Sequence, residues 1–322
     1  MAKATKPATT PSVPMARRRK GQPVSGWILL DKPAGMTSTR AVTAVRRAFD
    51  AQKAGHAGTL DPMATGVLPI ALGEATKTVP HVMDAAKQYR FAVRWGIATA
   101  TDDAEGAVLA CSDVRPDRAA IEAALPAFLG RIEQVPPAFS AIKIDGERAY
   151  DLARAGEAVD LAPRTVVVHR LAILDAGDPE RTVFVMDCGK GAYVRSLARD
   201  LARALGTLGH VAELRRISVG PFAETRAISL ESLLALGHSA AASSHLLPVE
   251  TALADIPALA LTEDEANRLR AGQSVGLLRR SDLNRIGSLE SGALVCATSG
   301  GRLVAIARYE AGEVKPVRVL HL

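Results

Sequence analysis

Apolar positions along this chain change their period from block to block, and each period predicts an element. Trp27-Ile28-Leu29-Leu30 is a short apolar run stopped by Asp31-Lys32-Pro33-Ala34-Gly35, the pattern of a buried strand entering a turn. Val42, Val45 and Phe49 then fall on one face of a helix that Ser38 can cap, with Arg40, Arg46 and Arg47 elsewhere on its surface. Residues 73–83 read as helical. From Tyr89 the apolar positions Phe91, Val93, Trp95 and Ile97 alternate with Arg90, Ala92, Arg94 and Gly96, a period-two strand. Residues 117–129 have helical spacing that Pro126 should kink.

Residues 166–168 and 183–185 are strand-like, with Gly177-Asp178-Pro179 turning between them. Val194, Leu197, Ala198, Leu201 and Leu205 repeat at helical spacing up to Gly206, and Arg195, Arg199 and Arg203 share one face of that helix. Residues 214–219 read as another strand. Residues 237–244, small and polar, look like a linker. Beyond them Thr262 can cap a short helix reaching Leu269, and strand-like runs at 294–296, 303–306 and 317–319 surround a hairpin turn at Ser299-Gly300-Gly301-Arg302. The expected architecture is mixed α/β with a small, mainly β module at the C-terminal end.

Charge changes the picture by its location. The formal net charge is +6, yet Lys3, Lys6, Arg17, Arg18, Arg19 and Lys20 all lie in residues 1–23, which hold no acid. Without those six, 34 basic residues face 34 acids, so the rest of the chain is formally neutral. Any nucleic-acid face must come from how charge is arranged. The tail, rich in Pro, Thr and Ala, is expected to be disordered; it either adds nonspecific attraction to RNA or is inert.

Composition excludes some classes. No apolar run approaches the length of a membrane span, and none follows the basic N-terminus as a secretory signal requires, so a cytoplasmic protein is expected. Cys111, Cys188 and Cys296 are far apart and are expected as buried free thiols. The seven histidines show no ligand spacing, so no metal is expected.

The candidate chemistry lies in Gly55-His56-Ala57-Gly58-Thr59-Leu60-Asp61-Pro62-Met63-Ala64-Thr65-Gly66, which runs on into the apolar Val67-Leu68-Pro69-Ile70. Three glycines, a histidine and two threonines suit neither a helix interior nor a regular strand, so a loop anchored in a sheet is expected. Asp61 is its one acid. Taken locally, Asp-Pro is equally a helix start.

This stretch resembles the catalytic motif of the tRNA pseudouridine-55 synthase family of the TruB type. The resemblance extends to Asp31-Lys32-Pro33-Ala34-Gly35, Lys87-Gln88-Tyr89-Arg90, Lys190-Gly191-Ala192-Tyr193-Val194-Arg195 and Leu214-Arg215-Arg216, all in family order. It implies a pseudouridine-synthase fold, with a mainly antiparallel central sheet flanked by helices and loops. It also implies a catalytic domain at 24–250 with an RNA-gripping insertion near 131–161, and a PUA-like RNA-binding domain at 251–322.

The implied activity is isomerisation of uridine-55 in the tRNA T arm, without cofactor, guide RNA or protein partner, by a monomer. By the same resemblance Asp61 is the catalytic residue, Arg195 its cationic partner, able to hold it bidentately, and Tyr89 the ring that stacks on the flipped base. Tyr193 and Leu214 line the pocket, and His56 fills the space the base vacates in the RNA. Lys32, Lys143, Arg148 and Arg154 are candidate RNA contacts. The chain departs from many relatives at Ala57 and Ala192, where they carry Thr, and at Ala100 of Thr99-Ala100-Thr101-Asp102-Asp103, where they carry Asp; Asp103 matches the last acid.

Three other classes share some of these features. An RNA chaperone would bind and refold tRNA with catalysis secondary. A guide-RNA-dependent rRNA enzyme shares the catalytic motif, but the long insertion and short C-terminal module favour the stand-alone type. A phosphate hydrolase with an aspartyl nucleophile lacks support, because no Gly-rich phosphate loop is present.

Overall fold

The period-two blocks become strands, most of them longer than the pattern predicts. β1 (Gly26–Lys32), β2 (Ala54–His56), β3 (Thr65–Leu72) and β4 (Lys87–Trp95) lead to the hairpin β5 (Ile97–Thr99) and β6 (Val108–Cys111). β7 (Gly130–Gln134) precedes the short pair β8 (Lys143–Ile144) and β9 (Glu147–Arg148), then β10 (Arg164–Asp178) and β11 (Arg181–Cys188). β12 (Gly209–Val219), β13 (Phe222–Ala223) and β14 (Ile228–Ser229) follow. This computed structural model describes residues 21–140, 142–144, 147–148, 150, 160–237, 239–277, 282, 286–287 and 289–322.

The main sheet runs β14-β1-β3-β12-β4-β11-β10-β7, with β2 beside β3 and β13 beside β12. Within it β1–β14 and β3–β12 are parallel and the other pairings antiparallel, as a mainly antiparallel sheet requires. One face buries Ile28, Leu30, Leu68, Ile70, Phe91 and Val93 against the helices Ser38–Ala48 and Val194–Ala204. Leu197 and Leu201 of the second helix are fully buried, and each such leucine contributes about 1.5–3 kcal/mol relative to exposure. That packing fixes the helix start, where Arg195 sits.

A second sheet of β15 (Ala258–Ala260), β16 (Val275–Gly276), β17 (Leu294–Ser299), β18 (Arg302–Glu310) and β19 (Glu313–Val319) has the order β15-β17-β18-β19-β16. Thr262 caps the helix Glu263–Arg270 through a capping box with Glu265, as its sequence predicts. The two sheets share a core. Trp27 and Leu29 of β1 and Val67 and Ala71 of β3 pack in one cluster with Cys296, Leu303, Ile306 and Leu320.

Several expectations are corrected. Thr37, not Ser38, caps the first helix, because the Ser38 hydroxyl is taken by Leu60. The segment at 73–83 is split at Thr78 into a 3-10 turn and the helix Val79–Asp84. Pro126 acts as predicted, ending the helix Arg118–Ala124 in a 3-10 turn. The linker at 237–244 contains a short helix, Ala240–Ser243, capped by Ser239 and anchored by the buried Ala242.

Arg195, Arg199 and Arg203 descend from interior to surface, with side chains 4%, 15% and 68% exposed. Cys111 is exposed on β6, whereas Cys188 and Cys296 are buried. Most of the tail lies outside the described residues, but Gln22 already bonds the Asp50 carbonyl. Residues 130–134, inside the bounds expected for the insertion, pair with β10 in the main sheet.

Candidate active site

Glycines give the Asp61 loop its path. Gly58 and Gly66 have φ of +99° and +96°, and a Cβ at Gly66 would lie 2.3 Å from the Arg216 carbonyl oxygen. Between them the loop is bonded from three sides. The Ser38 hydroxyl donates to the Leu60 carbonyl at 3.0 Å and accepts from the Leu60 amide at 2.9 Å. Arg216, 1% exposed, donates from Nε to Val67 O, from Nη1 to Thr59 O and from Nη2 to Gly58 O, at 2.8, 3.4 and 3.0 Å. Lys32 Nζ donates to Pro33 O, Met36 O and Pro62 O at 2.9, 2.7 and 3.1 Å.

The expectation of Lys32 as an RNA contact is therefore corrected. Its side chain is fully buried, its three protons are used on loop carbonyls, and burial lowers its pKa to about 8.

Asp61 faces a cleft of about 270 Å³ whose lining also includes Lys87, Tyr89, Tyr193, Arg195, Leu214 and Arg216. Arg195 Nε lies 2.9 Å from Asp61 Oδ2. The bidentate grip is not formed: Nη1 donates to Thr101 O and Nη2 to Phe139 O, both at 2.9 Å, and Nη1 lies 3.5 Å from Asp103 Oδ2. Asp103 is 3% exposed and is itself held by the Thr101 hydroxyl and the Glu105 amide. Burial pushes the Asp61 carboxyl above the usual carboxylate range; Arg195 opposes the rise and Asp103 adds to it.

Strand register brings the rest together. Tyr89 on β4 stands opposite Arg216 on β12, two positions along from the Phe91–Leu214 pair and so on the same face. Tyr89 is half-buried, and burial raises its pKa. Tyr193 immediately precedes the helix Val194–Ala204, and both its backbone groups are held by the buried Gln134 side chain, at 3.0 and 3.2 Å.

His56 lies on β2 outside the cleft lining, with a buried Nδ1 that has no partner among the described residues. Burial lowers its pKa, and Arg216 lowers it further. The backbones of Lys143 and Arg148 pair in β8–β9, and Arg154 lies outside the described residues. Among the described residues no cluster of His, Cys, Asp or Glu could hold a metal ion.

Sequence reasoning gave no role at the site to Ser38, Lys87, Gln134 or Arg216, although Ser38 was read as a helix cap and Lys87 and Arg216 stand in the motifs that carry the resemblance. Arg216 had a signal: in a strand it shares a face with Leu214, while Arg215 points away to pair with Asp31 and Glu224.

A ten-stranded sheet with this cleft, and a second sheet docked behind it, is the architecture of the pseudouridine synthases. A chain from a Cbf5-Nop10-Gar1 complex superposes with a TM-score of 0.69 at 26% identity, covering 92% of this chain and 84% of that one. A chain from an H/ACA ribonucleoprotein bound to a substrate RNA containing 2′-deoxyuridine superposes with a TM-score of 0.71 at 23% identity, covering 95% and 92%.

Residues 46–194 match the N-terminal domain of the TruB family pseudouridylate synthases, and residues 195–254 the tRNA pseudouridylate synthase B C-terminal domain. The tRNA pseudouridine synthase B of Caulobacter vibrioides is 58% identical, covering 96% of this chain and all of that one. That of Rhodospirillum rubrum is 54% identical with the same coverage. The chain belongs to the TruB family.

Proposed function

We propose that the protein isomerises uridine-55 to pseudouridine in the T arm of tRNA, with Asp61 as the reacting carboxylate. The observation that carries this reading is the single contact between Asp61 and the buried Arg195 in a cleft walled by Tyr89, Tyr193 and Leu214. The reaction breaks the N1–C1′ bond, turns the base and rejoins C1′ to C5. A carboxylate whose pKa is raised is a stronger base, and Arg195 keeps it from simply protonating.

The target base must leave its stack first, at a cost of a few kcal/mol. Tyr89 replaces that stacking, Tyr193 and Leu214 close the sides, and His56 occupies the vacated space in the RNA. Lys143, Arg148 and Arg154 of the insertion grip the arm, and residues 251–322 act as a PUA-like second contact. The enzyme works as a cytoplasmic monomer without guide RNA or partner. Near full-length identity to bacterial synthase B proteins supports the stand-alone reading over the guide-dependent one.

The test incubates purified protein alone with unmodified tRNA and maps pseudouridine. Conversion at position 55 is expected for the wild type. Asp61→Asn should convert none while binding tRNA within about twofold of wild type. Continued conversion by that variant would remove Asp61 from the reaction.

A further inference from the structure

The cleft contains two cations that the reaction as derived does not use. Lys87 and Tyr89 point to the same side of β4 by strand alternation, and Arg216 stands directly across from Tyr89 on β12. Opposed positions in such a pair lie about 5 Å apart, and positions two apart along a strand about 7 Å. Both cations therefore border the ring proposed to stack on the base. The Arg216 guanidinium lies close enough to the Tyr89 phenol to oppose the rise in its pKa that burial causes.

Among the described residues neither cation has an anionic partner. Among the described residues no carboxylate oxygen lies within 4 Å of Lys87 or Arg216. Arg216 spends its bonds on Gly58, Thr59 and Val67 carbonyls, and Lys87 donates two protons to Met83 O and Ala85 O, leaving a third. The nearby Asp84 is drawn to Lys190 instead, at 3.0 Å. Lys87 is 9% exposed and Arg216 1%. Two neighbouring cations stripped of water and left without an anion are costly, each by several kcal/mol. Neutral donors could satisfy the same carbonyls, so the surplus charge points to an anion that arrives with the substrate.

We propose that Lys87 and Arg216 form a positive wall that stabilises the negative charge developing on the uracil ring. This rests on the isomerisation reading above and names what acts on the departing base. If Asp61 adds to C6, the C5–C6 π pair moves to O4 as an enolate before the N1–C1′ bond breaks. If Asp61 takes the C2′ proton, that C–H pair forms the sugar double bond and the N1–C1′ pair leaves on N1. Either route charges the ring; as C1′ rejoins at C5, Asp61 either leaves C6 or returns its proton to C2′, C5 loses a proton and N1 gains one, with no net change in electrons. Fixed cations in a site closed to water stabilise such charge strongly.

The experiment compares Lys87→Met and Lys87→Arg with wild type on a tRNA transcript and on the same transcript carrying 5-fluorouridine at the target. Single-turnover loss of the N1-linked nucleoside is read by digestion and mass spectrometry. Fluorine at C5 stabilises the ring anion by induction, so it replaces part of what Lys87 supplies. Lys87→Met should slow the uridine substrate about 100-fold, the low end of the range for losing one stabilising donor. It should slow the fluorinated substrate several-fold less, bind tRNA within about twofold of wild type, and be largely rescued as Lys87→Arg.

Equal losses on both substrates would mean a structural role and overturn the proposal. Weakened binding at an unchanged single-turnover rate would mean Lys87 holds a backbone phosphate, which also overturns it. Should Lys87→Met fail to fold, Lys87→Gln keeps amide donors for the two carbonyls without the charge. A wild type inactive on the uridine transcript would refute the isomerisation reading itself.

Discussion

Arg195 and Arg216 are both nearly fully buried, line the same cleft and donate to loop carbonyls, yet their electrostatic surroundings differ. Arg195 lies between Asp61 at 2.9 Å and Asp103 at 3.5 Å, a cation shared by two acids. Arg216 has carbonyls but no acid among the described residues. One wall of the cleft already holds its cation against more than one acid before substrate arrives; the other carries excess positive charge. A site that must hold an ionised carboxylate and also stabilise a departing anion needs both arrangements, kept on separate elements.

Substitutions can break each side of that contrast. The largest effect is expected at Arg195: Arg195→Met should lower the single-turnover rate about 10²- to 10³-fold. Arg195→Lys should recover little, because Nε, Nη1 and Nη2 each hold a different partner and one ammonium cannot reach all of them. Substantial activity in the Lys variant would mean that charge alone matters there.

Arg216→Met should act on stability as well as rate, since each buried carbonyl left unpaired costs about 1–3 kcal/mol. Urea titration should show the midpoint fall; an unchanged midpoint would leave the loop carbonyls bonded by something other than Arg216. Ser38→Ala should cost less, because it leaves two buried groups of Leu60 unpaired against three carbonyls, at about 1–3 kcal/mol each, with faster amide exchange at Leu60 as its local signature.

The smallest effect concerns pH. Burial raises the folded-state pKa of Asp61, so the protonated form is favoured in the folded protein. That contribution to stability is fully present below the unfolded carboxylate pKa and is lost as pH rises through the higher folded value. Asp61→Asn should therefore match wild type in strongly acidic melts and become the more stable protein as pH climbs past that value. Melting curves that stay superimposed at every pH would show the carboxylate to be fully compensated by Arg195.

How much of this was legible in the sequence depends on how far each partner lies along the chain. The β4 alternation and the Val194–Ala204 helix are written in their own side chains, because a half-buried element repeats its burial locally. The Asp61 loop was visible through its glycines, and Arg195 and the tyrosines through resemblance. Lys32 was misread because, although Pro33 O and Met36 O are near it in sequence, Pro62 O reaches it only when β1 enters the sheet beside β3. The Arg216 acceptors lie 149 to 158 positions away in the sequence, beyond any local pattern. The bidentate expectation for Arg195 failed for a related reason: Thr101 and Phe139, from two distant loops, had already claimed its terminal nitrogens.

The shared apolar cluster makes β1 a plank with two working sides. Its Ile28 and Leu30 side chains belong to the core beneath the cleft helices, while Trp27 and Leu29 are the seat of the C-terminal sheet. Cutting the chain near residue 255 would lay bare an indole and its neighbours rather than release an appendage. The two tryptophans report on this separately, since Trp27 marks the seam and Trp95 the main core. Each sheet also has a core of its own, and the cluster they share couples the two, so both emissions should change at the same denaturant concentration.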